Sequence, residues 1–354
     1  MAMPPQLCDI VVVGAGLTGA YVARRLADNG LKVVVLEAAA QAGGAGARGA
    51  GLALLGTAEP YADLITRVGA DKARQTWDLT RQNLELLATA AAKAGITSQV
   101  VGSFRPVSDS SNAQILNRSV SLLVREGFAV ELDDATEQGF LVALHTCEDL
   151  AFAPATLARA LLNHPNITLQ CNAEVQELNL RAPDQIDIWI HKQYLWSKQV
   201  ILTSNAHILH LSPRLAPLLQ TLSIQAVDCP APGPLTIPWV LEEGQILIQA
   251  RDSQWRLVAL PRNTQTDPWP LLSRAAAHFC PEAPILHRYS GWNTQSTDGL
   301  PIVGALPDLP GGYFIAGLGP WGLSWSLIAA EKLVDLILTQ EDPGMLSLNR
   351  FRQD

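Results

Sequence analysis

The chain has 354 residues, 48% hydrophobic and 16% charged, which is enough apolar content for one large or two medium domains and excludes a disordered or fibrous protein. A formal net charge of -8 offers no long-range attraction to nucleic acid or to an anionic membrane surface, so a small-molecule role fits better. The five cysteines, Cys8, Cys147, Cys171, Cys229 and Cys280, form no CxxC pair, which argues against a zinc knuckle or disulfide framework and for a reducing cytoplasm.

The opening MAMPPQLCD carries no basic segment, and the apolar run after it is interrupted by Gly14, Gly16 and Gly19, unlike a signal peptide. Residues 9–13 form a short apolar β-branched run, residues 17–29 read as a helix stopped by Gly30, and residues 31–37 as a second strand. This βαβ unit opens a doubly wound parallel sheet. Residues 42–56 are so rich in Gly and Ala that they predict a loop passing close to something bulky. Helical periodicity covers residues 63–94, with Leu79, Leu84, Leu86 and Leu87 as core contacts and Gly95 as the stop.

Residues 100–150 mix short strands with a helix near 113–125, and residues 155–163 are helical again. Residues 167–170 and 200–203 are candidates for buried strands. Alternating strands such as 245–250 and 255–260 follow, separated by Pro-rich loops. Residues 309–330 lack any charge and are long enough to resemble a membrane span. Pro310, Gly311, Gly312, Gly317, Gly319, Pro320 and Gly322 suit a loop approaching a ligand better, so no integral membrane segment is expected. An amphipathic helix is predicted over 323–339.

The order of elements predicts an α/β fold: a Rossmann-like, doubly wound domain of residues 1–80, 150–220 and 290–354, and an antiparallel-sheet substrate domain of residues 81–149 and 221–289.

Gly14-Ala15-Gly16-Leu17-Thr18-Gly19 follows a strand and opens a helix, the setting in which GxGxxG places a pyrophosphate on helix N-terminal amides. Gly14 permits the tight turn, Gly16 admits the phosphates to the backbone, and Gly19 lets helix and strand pack closely. Glu37, about 20 residues further on, is placed to accept hydrogen bonds from a ribose diol. These features do not separate NAD from FAD. The stretch QAGGAGARGAG at 41–51 does, because small residues make sense where a flat tricyclic ring lies against the backbone. Arg48, its only charge, faces the phosphates, the reacting centre or solvent.

Near the other end, Thr297-Asp298-Gly299-Leu300-Pro301-Ile302-Val303-Gly304 is followed by Gly312-Tyr313-Phe314-Ile315-Ala316-Gly317-Leu318-Gly319 and the final helix. Together with the N-terminal fingerprint, this tail resembles the FAD-dependent D-amino-acid oxidase superfamily, especially its glycine oxidase, sarcosine oxidase and D-amino-acid dehydrogenase branch. The resemblance spans nearly the whole chain. It implies two domains with the flavin ring between them, the backbone of Val175 at the adenine, and last-helix amides near residues 319–323 at the N1/C2 edge of the ring, where reduction builds negative charge.

It further implies cofactor contacts at Gly14, Gly16, Leu17, Thr18, Gly19, Glu37 and Ala38; at Gly44, Arg48, Gly49, Ala50 and Gly51; and at Val175, Ser204, Asn205 and Gly291. Gly317, Gly319, Pro320, Trp321, Gly322 and Leu323 complete the set, with Arg48, Asn293 and Trp321 at the reacting centre.

Three departures qualify the match. Asn293 stands where amino-acid-oxidising relatives carry the arginine that clamps the substrate carboxylate, with Arg48 and Arg288 as substitutes. Asn205 replaces a glycine, and asparagine tolerates left-handed backbone. The basic residue often found after the ribose-binding acid is missing, since Ala38, Ala39 and Ala40 follow Glu37. Trp292, Trp321 and Trp325 belong either to an aromatic pocket or to the core, and Tyr289 and Tyr313 are candidates for orienting substrate. His207 and His210 have no carboxylate cluster, so no metal site is expected, and no cysteine lies in the TDG element to attach flavin covalently.

The expected protein is a cytoplasmic oxidoreductase holding FAD noncovalently. It oxidises a C–N bond of an amine or amino-acid-like small molecule by hydride transfer to flavin N5 and passes electrons to dioxygen or a quinone. The alternatives are an FAD-dependent monooxygenase or reductase, and a flavin-binding accessory protein without amine turnover.

Overall fold

The computed structural model describes residues 7–351 apart from 192, 243, 252 and 262. Most of the leading segment read above against a signal peptide lies outside the described residues.

Strand β1 (Leu7–Val13), helix α1 (Leu17–Asp28) and strand β2 (Val33–Leu36) form the opening βαβ unit. Val11, Val12 and Val35 are wholly buried, as strands covered on both faces require. After the Gly/Ala loop come β3 (Leu52–Ala53), α2 (Tyr61–Val68) and α3 (Ala70–Lys93). The single helix predicted over 63–94 is thus two helices. Gly69 separates them with a φ of 85°, which no right-handed helix accommodates. Leu84 and Leu87 are buried as expected, while Leu79 and Leu86 pack half-buried against the same core.

Next are β4 (Ser98–Val100), β5 (Ser103–Val107), α4 (Ser110–Arg125), β6 (Val130–Asp134), β7 (Val142–Thr146), β8 (Leu150–Phe152) and α5 (Pro154–Leu162). Then come β9 (Ile167–Gln170), β10 (Val175–Ala182), β11 (Gln185–Ile190), β12 (Gln193–Leu202) and the short α6 (Ile208–Leu211). The chain continues through β13 (Leu219–Pro230), β14 (Trp239–Leu241), β15 (Ile246–Arg251), β16 (Gln254–Ala259), α7 (Pro268–Phe279) and β17 (His287–Ser296). It ends with β18 (Ile302–Ala305), β19 (Gly312–Ala316) and α8 (Ser326–Thr339).

The first sheet has parallel pairings β9–β2, β2–β1, β1–β12 and β12–β19, extended by the antiparallel β10–β11–β12 meander and by β18 on β19. Helices α1, α5 and α8 cover one face, where Leu26, Leu157 and Leu333 meet Val12 and Ile201. On the other face Val200, Leu202 and Phe314 pack against Ile186 and Ile188. One strand expectation fails: β9 is an edge strand paired only with β2, and Leu169 is 37% exposed. An edge position leaves its outer surface uncovered whatever its apolar content.

The second sheet runs β17-β13-β16-β15-β14-β5-β7-β6, antiparallel except where β14 meets β5. Its alternation is strict. Val227, Ile248 and Leu257 face α7, while their neighbours Ala226, Leu247 and Val258 face the Gly/Ala loop and Trp321. The space between that second face and the C-terminal ends of β1, β2 and β12 is where the loops converge. The architecture is α/β, a Rossmann-like sheet joined to an antiparallel sheet.

Candidate functional site

The turn from β1 into α1 is shaped by close approach. Gly14 has φ 107°, and a Cβ there would lie 2.9 Å from the Thr203 carbonyl oxygen. A Cβ on Gly19 would lie 2.1 Å from the Gly14 oxygen, so only glycine lets α1 sit this near β1. Gly16 is the contrary case, because a Cβ there meets nothing within 4 Å and the position opens into a cavity. Glu37 accepts from the backbone N–H of Ala15 at 2.8 Å through Oε2 and of Ala39 at 2.9 Å through Oε1. Each oxygen keeps capacity for a further donor. The Ala38–Ala40 run therefore contributes a backbone amide to this acid.

The Gly/Ala loop is held by residues that sequence reasoning missed. Arg256 on β16 pairs bidentately with Asp228 on β13, Nε to Oδ1 at 2.6 Å and Nη2 to Oδ2 at 2.7 Å, both side chains being almost fully buried. Its remaining nitrogen Nη1 donates to the Ala47 carbonyl at 3.3 Å, and Arg251 donates to the Gly49 carbonyl at 3.0 Å. Burial raises the Asp228 pKa, but the Arg256 pair outweighs it and holds the carboxyl below its usual range. Tyr289 also donates to Asp228, at 3.1 Å, so its hydroxyl is engaged in structure. Only the cross-strand pairing Asp228↔Arg256 hints at this network, and that pairing is not visible in one dimension.

At the C-terminal end, α8 starts at Ser326, after a short 3-10 turn at Gly322–Ser324. Asn83 of α3 occupies its first amides: Oδ1 accepts from Leu327 at 2.9 Å and Ile328 at 3.1 Å, while Nδ2 donates to the Leu323 carbonyl at 2.9 Å. The expectation that the last helix turns its own amides toward a ring is thereby narrowed. The N–H groups of Gly322 and Leu323 in the preceding turn have no acceptor among the described residues, and both residues line the cavity. Trp321 is buried, donates to the Gly244 carbonyl at 3.3 Å, and carries the Arg105 guanidinium 4.8 Å above its ring.

Asn293 and Asn205 meet. Asn205 has φ 52°, the left-handed backbone for which glycine or asparagine is suited. Its Nδ2 donates to Asn293 Oδ1 at 2.7 Å, and its Oδ1 accepts from the Thr294 amide at 3.0 Å. Asn293 Nδ2 donates to the Gly319 carbonyl at 3.2 Å.

One elongated cavity of about 1110 Å³ collects these parts. It runs from Glu37, Ala38 and Val175 past Gly14, Gly16, Leu17 and Thr18 to Gly44, Arg48, Gly49 and Ala50. Ser204, Asn205, Gly291, Asn293, Gly317, Gly319, Pro320, Trp321, Gly322 and Leu323 complete the predicted residues on its wall. Gly19 and Gly51 are not on the wall. Gly19 acts through helix packing, and Gly51 sits against the Phe152 carbonyl and the Arg251 guanidinium. Trp292 and Tyr289 line the cavity; Trp325, Tyr313 and Arg288 do not. Arg288 instead stacks on Trp269 and donates to Gln225. His207 and His210 stack on each other along the wall. Among the described residues, Glu131, Asp133 and His145 form a group with metal-ligand spacing, but it lies on β6 and β7, away from the cavity, where solvent-facing acids commonly stand without an ion.

The wall fits a flavin dinucleotide. Gly16 leaves open the space a side chain would fill, the α1 N-terminus has no side-chain cap to compete with a phosphate, and Ser204 Oγ is buried without a partner among the described residues.

The chain is similar to the glycine oxidase of Geobacillus kaustophilus (TM-score 0.81, 20% identity, 98% of this chain and 100% of that one). It is also similar to the L-proline dehydrogenase of P. horikoshii (TM-score 0.75, 16% identity, 97% and 96%). At these identities the likeness concerns the fold. Among curated sequences it is 28% identical over 371 residues to the tRNA 5-methylaminomethyl-2-thiouridine biosynthesis bifunctional protein MnmC of Thiobacillus denitrificans, covering 96% of this chain and 58% of that protein. It is 38% identical over 79 residues to the probable oxidoreductase OrdL of Haemophilus influenzae, 22% of this chain and 18% of that one. The chain thus spans less than two thirds of the curated relatives it matches. The sequence profile described as FAD dependent oxidoreductase matches residues 9–336, and the chain belongs to that family, DAO.

Proposed function

We propose that this protein binds FAD noncovalently and oxidises a C–N bond of an amine or amino-acid-like small molecule, with dioxygen or a quinone as electron acceptor. The observation that carries this reading is the single cavity linking the α1 N-terminus to the apolar face of the second sheet. In it, the amides of Leu17 and Thr18 hold the pyrophosphate, Glu37 the ribose, the backbone of Val175 the adenine, and the free amides of Gly322 and Leu323 the pyrimidine edge of the flavin. When bound, the flavin supplies the two-electron chemistry.

The chain's own residues supply position and exclusion of water. Leu52, Leu54, Leu247, Val258 and Trp321 wall the reacting end, and residues 81–149 and 221–289 form the substrate domain, which reaches the cavity through its second part. A dry wall favours a substrate amine that arrives uncharged. The tRNA named for the Thiobacillus relative is not carried over, because a net charge of -8 gives no field to draw in a polyanion.

The test is direct. The purified protein is expected to show a flavin spectrum released intact by denaturation, and the colour to bleach anaerobically with one of a panel of sarcosine, D-amino acids and larger secondary amines. Bleaching by NADPH and by no amine sinks the reading in favour of a reductase or monooxygenase. Bleaching by neither leaves a flavin-binding accessory protein.

A further inference from the structure

We infer that Arg105 of β5 is a positioning residue for the flavin: it fixes the ring of Trp321 and, through that ring, the Gly322 and Leu323 amides that face the cavity. This rests on the flavin reading above, in which those amides meet the pyrimidine edge.

Trp321 lies in a stretch whose backbone is permissive. Gly319 has a φ of 71°, Gly322 follows the tryptophan, and Pro320 between them offers no N–H. The far end of the turn is held separately, since Ser324 Oγ accepts from the Leu54 amide at 2.8 Å and the Leu323 carbonyl accepts from Asn83 Nδ2 at 2.9 Å.

The near end is held by the second sheet. Between β14 and β15, the Gly244 carbonyl accepts from Trp321 Nε1 at 3.3 Å, and a Cβ on Gly244 would come within 2.9 Å of Trp321 Cζ2. The Arg105 guanidinium covers the ring from 4.8 Å. Arg105 is itself pinned: Nη2 donates to the Leu55 carbonyl at 2.9 Å, Nη1 to the Thr57 carbonyl at 3.3 Å, and the wholly buried Asp149 stands 3.7 Å from it. A cation tied at three points presents itself to the negative face of the indole, and burial strengthens that attraction.

Trp321 lines the cavity and Arg105 does not, so the arginine meets the site by way of the ring. The two free amides follow Trp321 directly, and the set of the ring decides where they point. Reduction builds negative charge at the pyrimidine edge, so well-aimed N–H groups there favour the reduced flavin.

The experiment measures the flavin midpoint potential of the FAD-loaded protein against a reference dye, for wild type, Arg105→Lys, Trp321→Leu and the double variant. Arg105→Lys keeps a positive charge beside Asp149 but removes the planar stack on the ring. Each single variant is expected to shift the two-electron reduction equilibrium about tenfold toward oxidised flavin, about 30 mV, and the double variant no further. A wild-type potential in Arg105→Lys overturns the assignment, because charge alone then suffices. Additive shifts in the double variant also overturn it, by showing that Arg105 does not act through Trp321. Should Arg105→Lys fail to fold, Trp321→Leu decides: a lowered potential upholds the ring as the anchor of the amides, and a wild-type potential overturns it. The potential needs no amine turnover, so amines that fail to bleach a protein showing these shifts would sink the amine-oxidising reading and leave Arg105 its role. A protein that takes up no flavin overturns both.

Discussion

The side-chain nitrogen of Asn205 donates to Oδ1 of Asn293 at 2.7 Å, joining two of the positions read from the sequence as departures from the family pattern it resembles. Through Asn293 Nδ2 the bond continues to the Gly319 carbonyl, so the pair connects the loop after β12, strand β17 and the turn before the last helix. Removing either side chain takes one hydrogen bond from the other, while Asn205 keeps the Thr294 amide and Asn293 the Gly319 carbonyl. Asn293→Ala and Asn205→Ala should each cost about 1 kcal/mol, and a double-mutant cycle by chemical denaturation should return a coupling of about 1 kcal/mol. Additive losses would show that the two amides stand together without depending on each other.

Asp228→Asn leaves Arg256 buried without its counter-charge and should destabilise the fold by about 3 kcal/mol, read from thermal or urea unfolding. The pH dependence follows from the sign of the shift. The folded carboxyl lies below its unfolded value, so its contribution is complete above about pH 3.9 and is lost as pH falls through the folded value. Wild type should therefore lose stability more steeply than Asp228→Asn below about pH 4.

Gly16 and Gly19 sit three residues apart on one turn but should respond oppositely. Gly19→Ala drives a Cβ into the Gly14 oxygen, and a loss of about 1–3 kcal/mol of stability is expected with loss of flavin colour. At Gly16 an added Cβ meets no protein atom within 4 Å, so Gly16→Val should keep its melting temperature while FAD affinity falls at least about tenfold. Unchanged FAD binding in folded Gly16→Val would move the pyrophosphate elsewhere.

Asn83→Ala uncaps α8 and removes the bond to the Leu323 carbonyl. A loss of about 2 kcal/mol is expected, together with a shifted flavin spectrum, because the Gly322–Ser324 turn loses its support. A destabilised protein with an unaltered spectrum would separate the cap from the site.

Much of this was legible in one dimension because it is local. The GAGLTG turn, the βαβ unit and the Gly/Ala loop are set by neighbours within a few residues, where backbone sterics and hydrophobic period act directly. Asn205 was legible in the same way, since a left-handed backbone narrows the residue types by itself. Gly69 was equally local, but helical periodicity on both sides of it concealed the break between α2 and α3.

What supports the loop and the turn was not legible. Arg256 finds Asp228 through cross-strand register, Asn83 reaches α8 from another helix, and Asn293 finds Asn205 across two sheets. Sequence alone determined the family's scaffold, because the glycines and the two hydrophobic periods are conditions on the backbone. The tertiary structure alone decided which polar side chains are spent on one another, as Asn205 is on Asn293 and Arg256 on Asp228. A hydrogen bond depends on distance in space, and chain separation does not encode that distance.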